Sequence, residues 1–194
     1  MGKIEQNKEI KRRAILAAAQ EIFLSEGYVL SSMDKIAAQA RMTKQTVYRY
    51  FPTKIDLFQA TLRHMGESLD DSFLTHLQNP NTHDALTGFA REFIGFHLSD
   101  NHIATFRLLM AESAKAPEIV SIFHAIGPDD THEKLASFFS ERLDVKDTET
   151  TIKLWLGMLL SLRSGVLMGR EKPSQRQIDE HARKATDFLL AAIA

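Results

Sequence analysis

Between Thr43 and Phe51 the chain reads Thr-Lys-Gln-Thr-Val-Tyr-Arg-Tyr-Phe, and the spacing of these types predicts a short helix whose outer face could do hydrogen-bond chemistry. Thr43 is an N-cap candidate, and Val47 and Phe51, four residues apart, supply an inward side. At about 100° per residue, Gln45 and Arg49 then stand opposite Val47, with Thr46 and Tyr48 on the flanks. In a major groove an amide can bond adenine through two contacts and a guanidinium can do so with guanine, while hydroxyls can reach phosphate oxygens. The same pattern also suits an ordinary solvated helical hairpin, since short helix pairs are common.

The flanking segments are those needed to hold such a helix. A first short helix is expected from Ser31, whose hydroxyl pairs with Asp34 in a capping-box pattern, and its buried side would be Met33, Ile36, Ala37 and Ala40. Pro52 stops the second helix, and Thr53 with Asp56 caps the next. Upstream, Ile15, Ala18, Ala19, Ile22 and Phe23 form an amphipathic repeat that ends at Gly27 and should pack behind the hairpin. Downstream, Leu57, Phe58, Leu62, Met65, Leu69 and Phe73 predict one helix over 53–77, about 36 Å long. Lys11, Arg12 and Arg13 could touch a phosphate backbone or simply form a solvated charge run.

These residues resemble a known family. Ile15-Leu16, Ala18-Ala19, Phe23, Gly27-Tyr28, Ser31-Ser32, Ile36-Ala37, the run Thr43 to Phe51, and Lys54-Ile55-Asp56-Leu57-Phe58 are similar, in order and spacing, to the N-terminal domain of TetR/AcrR-type transcriptional regulators. The resemblance covers about residues 10–60. It implies that Lys44, Gln45, Thr46 and Arg49 face bases, and that Ser31, Ser32, Thr43, Tyr48, Tyr50 and Lys54 hold phosphates. One position departs from the pattern: the family usually has Gly where this chain has Arg41. A non-Gly residue with positive φ is mildly strained, so either the turn differs or Arg41 contributes a phosphate contact.

The totals suit this reading. The chain has 194 residues, 44% hydrophobic and 25% charged, with no cysteine, which is enough for one or two cored domains and excludes disulfides and thiolate chemistry. The net charge of −1 conceals a split: residues 1–60 hold 10 Lys and Arg against 6 Asp and Glu, leaving 14 against 19 in the remainder. A positive end of this kind suits phosphate binding. The N-terminus lacks the apolar core of a signal peptide, and the longest strongly apolar run, Leu154 to Leu162, is too short to span a bilayer. A cytoplasmic protein without membrane contact is expected.

Beyond a turn at 78–82, helices are expected at about 83–98, 101–115, 117–125, 129–143, 148–169 and 175–192, with no strand. The fold class is therefore all-α: a three-helix helix-turn-helix DNA-binding domain over 1–53, a connecting helix over 53–77, and an all-α ligand-binding and dimerisation domain within 54–194. Gly157, Ser161 and Gly165, four residues apart, form a stripe of small side chains that lets another helix approach closely; this helix and the last one, 175–192, are expected to build a homodimer, packing inside one chain being the alternative. The middle helices are rich in aromatics. In the resembling family this region surrounds an effector pocket, which implies Phe89, Phe93, Phe96, Phe106, Met110, Phe123 and Trp155 as apolar lining and His97, His124 and Arg163 as polar anchors. Aromatics at helical spacing also serve as plain core.

Motifs for zinc hydrolysis, nucleophilic serine or phosphate cradling are absent, and the 8 His residues show no metal-ligand spacing. No enzyme, cofactor or metal is expected. The expected function is a one-component transcriptional regulator, a repressor that binds a palindromic double-stranded operator as a dimer and is released by a small apolar or amphipathic effector. A DNA-binding factor of the same shape without an effector, and an all-α enzyme or carrier, are the alternatives.

Overall fold

The computed structural model describes residues 2–67, 71–126 and 129–193. Among them the chain is helical throughout and contains no strand, so the all-α class holds. It divides into two compact units, one formed by Met1–Ser68 and Ala104–Gly127, the other by Leu69–Ile103 and Pro128–Ala194.

The first unit holds α1 (Lys3–Glu26), α2 (Met33–Gln39), α3 (Lys44–Tyr50), α4 (Lys54–Glu67), the later part of α6 (Asp100–Glu112), and α7 (Pro117–Ile126). Ile15, Leu16, Ala19 and Phe23 of α1, Ile36 of α2, Val47 of α3, and Leu57 and Phe58 of α4 are buried in one cluster. At its centre Phe58 meets Phe23 edge-on at 5.1 Å and Tyr28 at 5.0 Å. Helix α1 stops where Gly27 takes a φ of 85° and returns its N–H to the Phe23 carbonyl, a conformation that favours glycine.

The second unit contains a 3₁₀ helix (Asp71–Gln78), α5 (Thr82–His97), the first turn of α6, α8 (Asp129–Arg142), α9 (Thr148–Leu159), α10 (Ser161–Leu167) and α11 (Gln175–Ile193). Helix α5 is central, packing on the 3₁₀ helix, α9 and α11. Its Phe89 and Phe93 stack at 5.3 Å, and Phe89 also stacks on Trp155 of α9 at 5.6 Å. The cap expected at Ser174 forms: its backbone N–H donates to the Gln177 side chain, and the Gln177 N–H to its hydroxyl.

Two segments expected as single α-helices depart from that reading. The segment 53–77 comprises α4, ending at Glu67 in the described chain, and the separate 3₁₀ helix, with residues 68–70, including Leu69, outside the described residues. Within that helix the Thr75 hydroxyl donates to the Ser72 carbonyl, a local bond that competes with α-helical pairing. The segment 148–169 is broken at Leu160 into α9 and α10. There the His181 ring N–H donates to the Met158 carbonyl at 2.8 Å, so an imidazole from α11 takes an acceptor of the helical ladder, a recognised cause of breaks.

Candidate nucleic-acid interface

The local caps fix α2 and α3. The Ser32 hydroxyl accepts from the Lys35 N–H at 3.2 Å, so the N-cap is Ser32 and not the expected Ser31. Ser31 is buried and donates its hydroxyl to the Tyr28 carbonyl at 2.7 Å. The chain leaves α2 through Arg41, whose φ is 53°. The Met42 N–H reaches the Ala37 carbonyl at 2.9 Å and the Arg41 N–H that of Ala38 at 3.0 Å, the paired bonds of a Schellman ending. The turn therefore keeps the left-handed geometry that glycine usually provides, with an exposed arginine in its place.

Thr43 caps α3, accepting from the Thr46 N–H at 3.2 Å. Val47 and Phe51 are buried on the inward side. Lys44, Gln45, Tyr48 and Arg49 are exposed, and Thr46 and Tyr50 are half-buried on the flanks. The Lys44 ammonium lies 2.8 Å from Asp34 of α2, and a hydrogen bond to that carboxylate raises its pKa above the ordinary value. Helix α3 thus presents an amide, a guanidinium, an ammonium and a phenol on one face of a seven-residue helix.

Lys54 is placed differently. Its ammonium donates to the carbonyls of Tyr28 at 2.8 Å and Ser31 at 3.0 Å and sits 4.5 Å from the Tyr28 ring centroid. Burial lowers its pKa, opposed by the charges of Glu112 and Glu118. The same loop is also held by Glu112, a buried carboxylate that accepts from the Val29 N–H at 2.7 Å. Both groups are engaged inside the unit, ordering the loop that leads into α2. Sequence reading missed Glu112, because its partner is 83 residues away. Thr53 and Asp56 exchange their expected bonds at 3.1 Å each. On α1, Arg12 lies 5.9 Å from the Phe51 ring and Arg13 pairs with Glu9 at 2.9 Å.

The residues expected to line an effector pocket fall in both units. Phe89, Phe93, Phe96, His97, Trp155 and Arg163 belong to the second. Phe106 and Phe123 meet edge-on at 5.3 Å in the first, where Met110 is 55% exposed. The His124 side chain lies outside the described residues. His97 is buried, and its Nδ1–H donates to the Phe93 carbonyl at 2.8 Å. His102 of α6 stands 4.6 Å from it, ring to ring. Burial first, then His102 and Arg163, hold the His97 pKa down to about 3. Burial and Arg163 hold that of His102 at about 4. His102 was absent from the expected set; its place five residues after His97 and across a helix boundary gave no periodic signal.

Of the small-residue stripe, Gly157 and Ser161 are exposed and Gly165 is half-buried against Arg170. A Cβ on Gly157 would meet nothing within 4 Å. Leu154 of α9 and Phe188 of α11 are also exposed, at 65% and 66%.

Comparison with known proteins decides the family. Residues 15–61 match bacterial regulatory proteins of the tetR family. Residues 84–193, more than half the chain, match the C-terminal domain of AefR-like transcriptional repressors. The chain belongs to the TetR family. Both matches describe transcriptional regulators. The chain is 34% identical over 62 residues to the HTH-type transcriptional activator FasR of Mycolicibacterium smegmatis, a match covering 32% of this chain and 28% of that relative's length. The flavonoid-responsive regulator FrrA superposes with a TM-score of 0.78 at 27% identity, over 95% of this chain and 97% of its own. A TetR-family structure from Mesorhizobium loti shares the fold with a TM-score of 0.81 at 24% identity, over 95% and 96% of the two chains. Among the described residues no helix is long and apolar enough to cross a membrane.

Proposed function

We propose that this TetR-family regulator is a cytoplasmic, homodimeric repressor that reads a palindromic operator through α3 and is released by a small effector. The observation that carries the reading is the outward face of α3, where Gln45, Tyr48 and Arg49 stand exposed on the buried anchors Val47 and Phe51. Lys44, Gln45, Thr46 and Arg49 meet base edges, and Ser32, Arg41, Thr43, Tyr48 and Tyr50 meet phosphates. Ser31 and Lys54 act at one remove, by fixing the loop from Tyr28 to Ser31. The reader occupies residues 1–53, and 54–194 carry the ligand and dimer contacts.

The dimer forms through α9 and α10, where Gly157, Ser161 and Gly165 admit a second copy beside the exposed Leu154 and Phe188. A two-fold axis then sets two α3 helices in successive major grooves, about 34 to 36 Å apart. The effector enters the aromatic cluster of the second unit, around Phe89, Phe93, Phe96, His97, Trp155 and Arg163. It selects a head separation that no longer fits successive grooves, so bound DNA must weaken effector binding by the same factor. Response to a small molecule has a parallel in the flavonoid-responsive relative FrrA, and repression in the AefR-like repressor family matched by residues 84–193.

Selection of binding sites from a genomic DNA pool, followed by titration of the best site at several salt concentrations, tests this. An enriched palindrome bound by a dimer, with affinity falling steeply as salt rises, is the expected result. A folded, dimeric sample that enriches no sequence would overturn it.

A further inference from the structure

The cations on and around α2 and α3 are not equally free. Lys35 lies 2.5 Å from Glu26, and Lys54 is turned inward onto the Tyr28 and Ser31 carbonyls. Arg41 and Arg49 are exposed and have no carboxylate partner among the described residues. Lys44 stands between these cases. It is exposed and lies 5.8 Å from the ring of Tyr48 on the outer face of α3, yet its ammonium meets both oxygens of Asp34, at 2.8 and 3.0 Å. The pair ties the first turn of α2 to the first residue of α3, ten residues on. The capping box expected of Ser31 and Asp34 is not formed: Ser32 caps α2, and the Asp34 carboxylate is turned to Lys44 instead.

An exposed ion pair adds little to stability, and neither helix needs this one for its cap, since Ser32 and Thr43 serve there. Its effect falls on the partner. An ammonium has three N–H groups, and two directed at Asp34 leave one. The pair is nearly neutral as a whole, so a phosphate gains little from approaching it. A phosphate that drew Lys44 away would strand the Asp34 carboxylate beside a polyanion, a like-charge cost. A neutral acceptor meets no such cost: guanine O6 or N7 can take the third N–H while Asp34 keeps the other two. Specificity is the difference between those two affinities, and a built-in repulsion against the wrong partner widens it. From this geometry we infer that Asp34 is a specificity-determining residue: it holds Lys44 back from phosphates and presents the ammonium to a guanine edge. The inference rests on the proposal that α3 reads an operator, and it gives an acidic residue of α2 a share in that discrimination.

The test titrates the full chain, as wild type, Asp34→Asn, Asp34→Glu, Lys44→Gln and the Asp34→Asn, Lys44→Gln double variant. Each is measured against the selected operator, its single-base variants and a random duplex of equal length, at several salt concentrations. Asp34→Asn should bind the random duplex at least about threefold more tightly, with a steeper salt dependence, because the freed lysine adds a phosphate contact in each protomer. It should also flatten discrimination by about tenfold at the base pair that Lys44→Gln flattens, and the double variant should flatten that position no further. Asp34→Glu keeps the charge and should retain the wild-type base preference and salt slope. A random-duplex affinity no higher in Asp34→Asn, discrimination kept there, flattening at a different base pair, or an equal loss in Asp34→Glu would overturn the assignment. A wild type that does not prefer the operator to the random duplex would sink the reading of α3 itself. A wild type that does, with any of the overturning results, sinks only the role of Asp34.

Discussion

In the first unit the cations of α3 stand in water on a frame of buried apolar residues, whereas in the second the imidazoles of His97 and His102 are drawn among aromatic rings. Exposed charges on a rigid frame attract a polyanion over a distance and are weakened by salt. Imidazoles withdrawn from water are held neutral and respond to pH instead. The two units thus make opposite use of solvent.

The largest effect expected on the first side of this contrast comes from its frame. Phe58→Ala removes the ring that Phe23 and Tyr28 meet edge-on and should destabilise the unit by about 3–5 kcal/mol, read as a lower urea midpoint and lost operator binding. An unchanged midpoint would mean that the α3 face does not depend on that core.

On the second side, the buried imidazoles predict a pH effect. Their folded pKa values, about 3 and about 4, lie below the ordinary value of 6.5, so between those limits the unfolded chain binds more protons. Stability should then be full above about pH 6.5 and fall as pH drops, by roughly 1 kcal/mol per pH unit for each imidazole. His102→Gln should flatten the decline in melting temperature between pH 7 and 4.5; an identical slope would place the titration elsewhere.

A smaller effect separates framing groups from contacting ones within the first unit. Glu112→Ala leaves the Val29 N–H without its acceptor and should cost about 1–3 kcal/mol, with faster hydrogen exchange at Val29 as the local signature. Smallest is Arg41→Gly, which should stabilise by about 1 kcal/mol because glycine adopts the left-handed turn without strain. If Arg41 also meets a phosphate, the same variant should bind operator more weakly with a shallower salt dependence.

What could be read in the sequence follows the reach of each interaction. Thr43 with Thr46, Thr53 with Asp56, and Ser174 with Gln177 are caps closed within three residues, and the buried sides of α1 to α4 repeat at helical spacing, so the helix-turn-helix segment and the all-α class were legible. Ser31 and Ser32 differ by one residue and offer the same hydroxyl, so which one caps α2 was not. The break at Leu160 depends on His181, the position of Lys54 on carbonyls 23 and 26 residues earlier, and the hold on Val29 on Glu112, 83 residues later. No local pattern reports partners at such distances. The meeting of His97 with His102 is of the same kind, a product of packing.

The most direct test of the reader is the affinity of wild type, Arg49→Ala, Gln45→Ala and Tyr48→Phe for the selected operator and for each of its single-base variants. Arg49→Ala and Gln45→Ala should each flatten discrimination at one position by about 1–3 kcal/mol, whereas Tyr48→Phe should weaken binding evenly across all sequences. A uniform loss from all the variants, with the wild-type base preferences intact, would contradict the assignment of α3 as the element that reads base edges.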